Sequence, residues 1–300
     1  MADRRPGIEI RTRRGAKVVA SRRAKRLTDR GERNPLVYLV AVATAALTAA
    51  PVIYVMLGGF RSNQQINTDP TGLPNPWKPS NYLKVFADPV FWNESKNSLV
   101  IAVGATVGVC LLGVMVAFVL ARYSFKGRGA LYAVFAAGLM FPLTVAALPL
   151  YLLLGQIGLA GNPLSIILPQ IGFQLPMTVV ILVPFLRAIP AELEEASIID
   201  GTTRIGFFWR ILLPLSVPGL VTVGVLGFIA SWNAYLLPML LLNRTAEYTL
   251  PLGVAHYATE HSTDTAMVLA FTSICMLPAL IFFTILQKRI VGGLTGAVKG

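Results

Sequence analysis

The chain has 300 residues, 55% of them hydrophobic and only 13% charged, and carries a formal net charge of +12. A soluble domain of this size has about a quarter charged residues, so the deficit argues against an ordinary soluble globule and for lipid as solvent. The runs 34–60, 97–121, 129–186, 211–243 and 265–287 contain no Asp, Glu, Lys or Arg. A crossing helix takes about 20 apolar residues, so four of these runs fit one helix each. The run 129–186 is interrupted by Gly161-Asn162-Pro163, a turn signal followed by a helix-starting proline, and reads as two helices joined by a hairpin. Apolar all round and without period-2 alternation, the segments are helices rather than barrel strands. The expected fold class is an all-α membrane protein with six transmembrane helices.

Six spans put both termini on one side. Of the 26 Lys and Arg residues, twelve precede the first span and 21 lie on the side of the termini; Arg61, Lys78, Lys84, Lys96 and Arg244 lie on the other. The positive-inside rule places both termini in the cytoplasm. Residues 1–33 form a basic tail without periodicity, expected to be disordered. Its cations suit anionic lipid head groups, and nucleic acid is the poorer reading, so the partner expected for the tail is membrane lipid.

The six-span transmembrane body is expected over 34–287, with a cytoplasmic loop at 188–214 inside it and a cytoplasmic tail at 288–300. The first span, about 36–59, offers small residues at 45–50, but its apolar run continues past them, so it is read as retained rather than cleaved. An outside loop of about 35 residues follows. Pro70, Pro74, Pro76 and Pro79 argue against regular elements in it, and Trp77, Tyr82, Phe86, Phe91 and Trp92 suggest that part of it lies at the interface. The second span, 97–121, carries Gly104-x-x-x-Gly108, a spacing that permits close helix contact but is common in membrane helices. Spans three and four, about 131–155 and 163–186, contain Pro142, Pro149, Pro169, Pro176 and Pro184. Interior prolines free backbone groups, which fits either irregular packing or a water-lined translocation path. Cys110 and Cys275 fall within spans and read as packing residues. His256 and His261, in the outside loop 243–264, read as solvated.

Between spans four and five, residues 187–214 read as two short helices around a glycine corner. Pro190 suits a first helical position, and Glu192, Glu194 and Glu195 favour the positive end of the helix dipole. Gly201 falls where a left-handed, helix-ending residue is expected, and Thr202 or Thr203 can cap the next helix. There Ile205, Phe208, Trp209 and Leu212 follow an i, i+3, i+4, i+7 stripe. Small Ala196 and Ser197 would let another protein approach the backbone. Taken alone, the elbow is equally an interfacial cap on the bundle.

Glu195-Ala196-Ser197, three intervening residues, Gly201, nine more, then Ile211 and Leu213-Pro214 resemble the EAA loop of binding-protein-dependent ABC importer permeases. Ser197 stands where that loop usually has alanine. Asn97-Ser98-Leu99, 122–128, Trp232-Asn233 with Leu236-Leu237-Pro238, and the ending 293–300 are similar to the MalG-like carbohydrate permease subfamily. Ala234 departs from the acidic residue often found after Trp-Asn there. The resemblance implies a type I ABC importer permease fold and a permease subunit for a sugar or sugar-like solute. It implies a MalF-like second permease in a heterodimer, two ATP-binding cassette subunits and an extracytoplasmic substrate-binding protein facing loop 243–264. The residues it assigns to ATPase coupling are Glu194, Glu195, Ala196, Ser197, Asp200, Gly201, Ile211 and Pro214.

No G-x-x-x-x-G-K-[ST] loop occurs in the chain, so an enzymatic role is not expected and magnesium-bound ATP is assigned to the partner ATPase. No catalytic, cofactor or metal site is expected in this chain. For the solute path, the residue types point to Gln170, Gln174, Trp232, Asn233 and Tyr235, since sugar hydroxyls need donors and acceptors in a low-dielectric site. Bonding between neighbouring helices is the competing role for each. Importers of non-sugar solutes remain an alternative. An ion-coupled transporter would need charged or histidine groups within spans, and a membrane-embedded enzyme a catalytic polar cluster; neither pattern is present.

Overall fold

The computed structural model describes residues 35–257 and 263–298, with side chains through residue 287. The basic tail 1–33 and His261 lie outside the described residues. The described residues are helical, without a strand. Helix α1 (Pro35–Gly58) is long and apolar enough to cross a membrane, with a mean hydropathy of 2.2. The described residues fall into two units, 35–55 and those from Met56 onward.

The loop expected to lack regular elements instead contains α2 (Asn63–Thr68) and α3 (Ser80–Ala87). Ser62 and Gln65 form a reciprocal capping box that starts α2, satisfying two orphan amides at once. The buried guanidinium of Arg61 collects the carbonyls of Gln65, Asp69 and Pro70 at the other end of that helix. Proline spacing therefore limited these helices without preventing them.

Helix α4 (Pro89–Arg122) begins with Asp88 accepting from Val90 N and Pro89 in the first helical position. It packs along α7 (Leu164–Arg187), and glycines let the two backbones approach. A Cβ on Gly108 would stand 2.3 Å from Ile171 Cδ1, one on Gly104 2.9 Å from Ile167 Cδ1, and one on Gly113 2.3 Å from Thr178 Cγ2. The Gly104-x-x-x-Gly108 spacing is thus a true helix contact, continued by Gly113.

The third and fifth spans are not the continuous helices that their apolar runs suggest. Helices α5 (Arg128–Gly138) and α6 (Leu143–Gln156) meet at 96°. Pro142, extended at φ −77° and ψ 133°, opens α6, and the residue before a proline disfavours the helical region. After α7 come α8 (Glu192–Ile199), α9 (Arg204–Leu215) and α10 (Val217–Trp232), the last two bent by 72°. Pro214 and Pro218 flank this bend and remove backbone donors. The fifth run breaks again at Asn233–Tyr235 before α11 (Leu236–Leu241). A short helix α12 (Leu250–Gly253) leads towards α13 (Thr265–Val298). The backbone of 288–298 continues this helix. Six crossings result if each bent pair counts as one, with α1, α4, α7 and α13 supplying the other four.

Candidate functional site

The elbow is built as its residue types require. Helix α8 carries Glu192, Glu194 and Glu195 in its first turn and ends on Gly201 at φ +79°. Gly201 N donates to Ile198 O at 3.0 Å and Thr202 N to Ser197 O at 2.9 Å, the paired closing bonds of a Schellman helix end. Thr203 Oγ1 then accepts from Gly206 N at 3.1 Å and starts α9. Glu195, Ala196, Ile198, Ile199 and Asp200 are exposed. Ser197 is not: it is buried, and its hydroxyl donates to Glu194 O at 2.8 Å. The close-approach surface expected at Ala196 and Ser197 is thus reduced to Ala196, with Ser197 turned into the fold.

The apolar stripe of α9 also differs from its 3.6-residue expectation. Phe207, Phe208 and Leu212 are buried, whereas Ile205 is 73% exposed and Trp209 half exposed. A π-helical turn at Phe208–Leu212 widens the repeat, so Phe207 replaces Ile205 on the inner face. The three buried residues join one core with Val114, Phe118 and Leu120 of α4, Leu182 and Leu186 of α7, and Val223 of α10. Arg122 Nη2 donates to Ile189 O at 2.8 Å, and Arg204 lies 5.2 Å from the Tyr123 ring centroid. Ile211 is half-buried and Pro214 exposed. The exposed acidic helix is therefore joined through α9 to the packed ends of three spans.

The five polar path candidates do not converge. Gln170, Gln174 and Tyr235 line one cavity of about 240 Å³ together with Phe173 and Ala234. Trp232 and Asn233 line another of about 150 Å³ with Val254 and Thr272. Trp232 is committed to packing: its indole N–H donates to Cys275 O at 3.0 Å and its ring stacks on Phe228. Asn233 Nδ2 donates back to Ile229 O at 2.9 Å. Sequence reasoning missed Ser231, whose hydroxyl donates to Gln170 Oε1; its place immediately before the Trp232-Asn233 pair was the available signal.

His256 is not simply solvated. Its Nε2 lies 2.7 Å from Glu94 Oε1, and Glu94 is 0% exposed. Helix α4, at 34 residues, is about 51 Å long against a hydrocarbon core of about 30 Å, so Glu94 lies beyond the expected span at 97–121. Burial raises its carboxyl to about 7, with His256 pulling the other way and Asp88 adding to the rise. Asn97 Nδ2 donates to Tyr248 O at 3.0 Å and Leu250 N to Ser98 Oγ at 2.8 Å. The loop after α11 is thereby latched onto the start of α4. A contact across 162 positions leaves no local trace in sequence.

Residues 110–295 match the family model described as the inner membrane component of binding-protein-dependent transport systems. The chain belongs to this family. The inner-membrane component is 32% identical over 260 residues to the diacetylchitobiose uptake system permease protein NgcG of Streptomyces coelicolor, with 86% of each chain covered. It is 34% identical to the trehalose transport system permease protein SugB of Mycobacterium tuberculosis, over 83% of this chain and 92% of that one. Its fold matches a crystal structure of a bacterial ABC transporter for import of the acidic polysaccharide alginate. That match has a TM-score of 0.72 and 22% identity, over 89% of this chain and 97% of the other. This multi-pass membrane protein is therefore an ABC importer permease by family and by fold, and no metal-holding cluster of His, Cys, Asp or Glu occurs among the described residues.

Proposed function

We propose that this permease forms one half of the path of an importer for a sugar or sugar-like solute, driven by ATPase subunits that grip α8. The observation that carries the coupling role is the continuity of the elbow. The exposed acidic face of α8 ends in a left-handed Gly201, and α9 inserts Phe207, Phe208 and Leu212 into the core of α4, α7 and α10. A pull on α8 cannot be absorbed locally, because packed cores deform as units. ATPase closure would rock α7 and α10 together, alternating access to the path. The sugar class rests on the relatives' own solutes, diacetylchitobiose and trehalose.

In this arrangement both termini lie in the cytoplasm, a second permease completes the path, and two ATPases bind magnesium-bound ATP. An extracytoplasmic binding protein delivers the solute to the side carrying the latched loop. Glu194, Glu195, Ala196, Asp200 and Gly201 face the ATPase, while Ser197, Ile211 and Pro214 hold the elbow's shape. Gln170, Gln174 and Tyr235 provide the polar part of the path; Trp232 and Asn233 stiffen the break beside it. Gly201→Asp and Glu195→Lys should each abolish solute uptake by the complete transporter while the variant still reaches the membrane. Normal uptake in both would remove α8 from the coupling route.

A further inference from the structure

Two apolar side chains of α9 stay outside the core that its other residues enter. Ile205 is 73% exposed and Trp209 50% exposed, and both line a groove of about 280 Å³ between α9 and the end of α4. The buried rings of Phe118 and Phe208 form its floor, with centroids 5.1 Å apart. Tyr123 stands edge-on to Phe118 at 5.4 Å, and Trp209 edge-on to Phe208 at 5.0 Å. Met115 and Val119, each nearly half exposed, supply the rim on the α4 side.

Depth and charge together decide what such a groove can hold. Met115 and Val119 belong to the charge-free run 97–121, and α4 ends at Arg122. At 1.5 Å of rise per residue, Met115 lies about 10 Å further into the membrane than that end. A soluble protein docked on α8 would have to reach past the head groups to fill this space. The groove carries one charge, on Arg204, whose guanidinium lies 5.2 Å from the Tyr123 ring centroid. No carboxylate lines the groove, and no acidic side chain among the described residues pairs with Arg204. An apolar slot at membrane depth beneath one uncompensated cation is complementary to the acyl chain and phosphate of a lipid.

The same residues restrict the head group. Aromatic rings attract quaternary ammonium groups, but Arg204 already lies over the Tyr123 ring and repels a second cation. A phosphodiester without an ammonium group meets the guanidinium unopposed, and the planar fork of donors matches two phosphate oxygens at once. Tyr123 and Trp209 are the residue types that sit at the level of lipid head groups, which places the phosphate at the Arg204 end and the chain towards Met115.

We propose that this groove holds one anionic glycerophospholipid of the inner leaflet, its phosphate on Arg204 and part of an acyl chain against Phe118, Phe208 and Trp209. The proposal goes beyond the importer reading and takes from it only the orientation, with the Arg122 end of α4 on the cytoplasmic side. The lipid is then a wedge between α4 and α9, beside the arm that carries motion away from α8.

The test uses the complete transporter in nanodiscs doped with phosphatidylglycerol that carries a photoactivatable diazirine on one acyl chain. After irradiation, peptide mass spectrometry should find adducts on Met115, Val119, Ile205 or Trp209. Unlabelled phosphatidylglycerol should suppress these adducts, and phosphatidylcholine with the same acyl chains should not. Arg204→Gln should lower their yield about fivefold, the weight of the roughly 1 kcal/mol that one basic residue contributes near an anionic lipid. Arg204→Lys, which keeps the charge, should restore most of the yield. The competition between the two lipids is read on the unmodified chain, so it decides the matter even if the variants fail to assemble. Equal suppression by both lipids, or an unchanged yield in Arg204→Gln, reduces the groove to ordinary lipid contact and overturns the proposal. Adducts on the exposed Val103 and Val107 of α4 with none in the groove mean that a protein subunit covers it, which overturns the proposal equally. Co-purification of the ATPase in those cases leaves the importer reading standing. A chain that purifies alone yet shows the selective groove adducts removes the importer reading and keeps the lipid site.

Discussion

Replacing Gly201 with alanine places a Cβ on a residue held at φ +79°. No heavy atom lies within 4 Å of where that Cβ would sit, so the substitution produces no clash within the chain and its effect is confined to the backbone. The left-handed conformation costs a residue with a Cβ about 1–2 kcal/mol. If the elbow escapes by changing φ, it gives up the closing bonds from Gly201 N to Ile198 O and from Thr202 N to Ser197 O, each worth about 0.5–1.5 kcal/mol. Either route lowers the population of the docking-ready elbow about 5–30-fold. ATPase affinity for the permease pair in nanodiscs, titrated with labelled ATPase, should weaken by that factor in Gly201→Ala. Gly201→Asn should weaken it less, because asparagine visits the left-handed region more readily. Gly201→Asp shares that backbone tolerance and adds a charge, so a loss beyond the asparagine variant reports close approach of the ATPase. An alanine variant that binds like wild type, or an asparagine variant worse than alanine, would refute the conformational origin of the effect.

Other perturbations test the latch and the helix contacts. A Cβ at Gly253 would lie 2.0 Å from Glu94 Oε2, so Gly253→Ala must displace the carboxylate from His256. Overpacking of this kind costs about 1–3 kcal/mol, and hydrogen exchange over 243–257 should quicken accordingly. Glu94 has a folded pKa raised from 4.5 to about 7. Its contribution is therefore fully present below pH about 4.5 and is lost as pH rises through about 7, so protection of the loop should fall over that interval and become flat in Glu94→Gln. Gly113→Leu inserts a branched side chain where Thr178 Cγ2 stands 2.3 Å from an added Cβ; thermal unfolding in detergent should drop by the equivalent of about 1–3 kcal/mol. Trp232→Phe removes the indole N–H that Cys275 O accepts in addition to its helical bond, which costs about 0.5–1.5 kcal/mol. If Trp232 serves packing rather than the solute, the half-saturating solute concentration for uptake should stay unchanged.

Long-range solvent preference was the most legible feature of the sequence, because a lipid-exposed helix must be apolar along its length. The runs that became α1, α4 and α13 needed no other information, and α7 needed only the turn signal at Gly161-Asn162-Pro163. The interruptions at 139–142 and 233–235 were not legible, since both runs continue without a charged residue and only Pro142 hints at one of them. In the elbow, the spacing from Glu195 to Gly201 and on to Pro214 carried the left-handed corner correctly, because a local backbone geometry selects glycine. The inner face of α9 differs from a regular 3.6-residue stripe: the helix contains a π turn at Phe208–Leu212, and Phe207 rather than Ile205 points inward. The capping box at Ser62 and Gln65 is a local signal that the reading of this loop from its proline spacing alone did not use. The pairing of Glu94 with His256, and of Gln170 with Ser231, joins residues 162 and 61 positions apart, which only the folded chain reveals.

The docking of α8 can be tested most directly by photo-crosslinking. Ile199 is 85% exposed at the end of that helix, and replacing it with a benzophenone-bearing residue in the complete transporter places the reactive group beside Gly201. After irradiation in native membranes, mass spectrometry should identify an ATP-binding cassette subunit as the cross-linked protein, with a yield that changes between the ATP-free and vanadate-trapped states. Cross-links confined to lipid, or to an extracytoplasmic binding protein, would contradict the docking of an ATPase on α8.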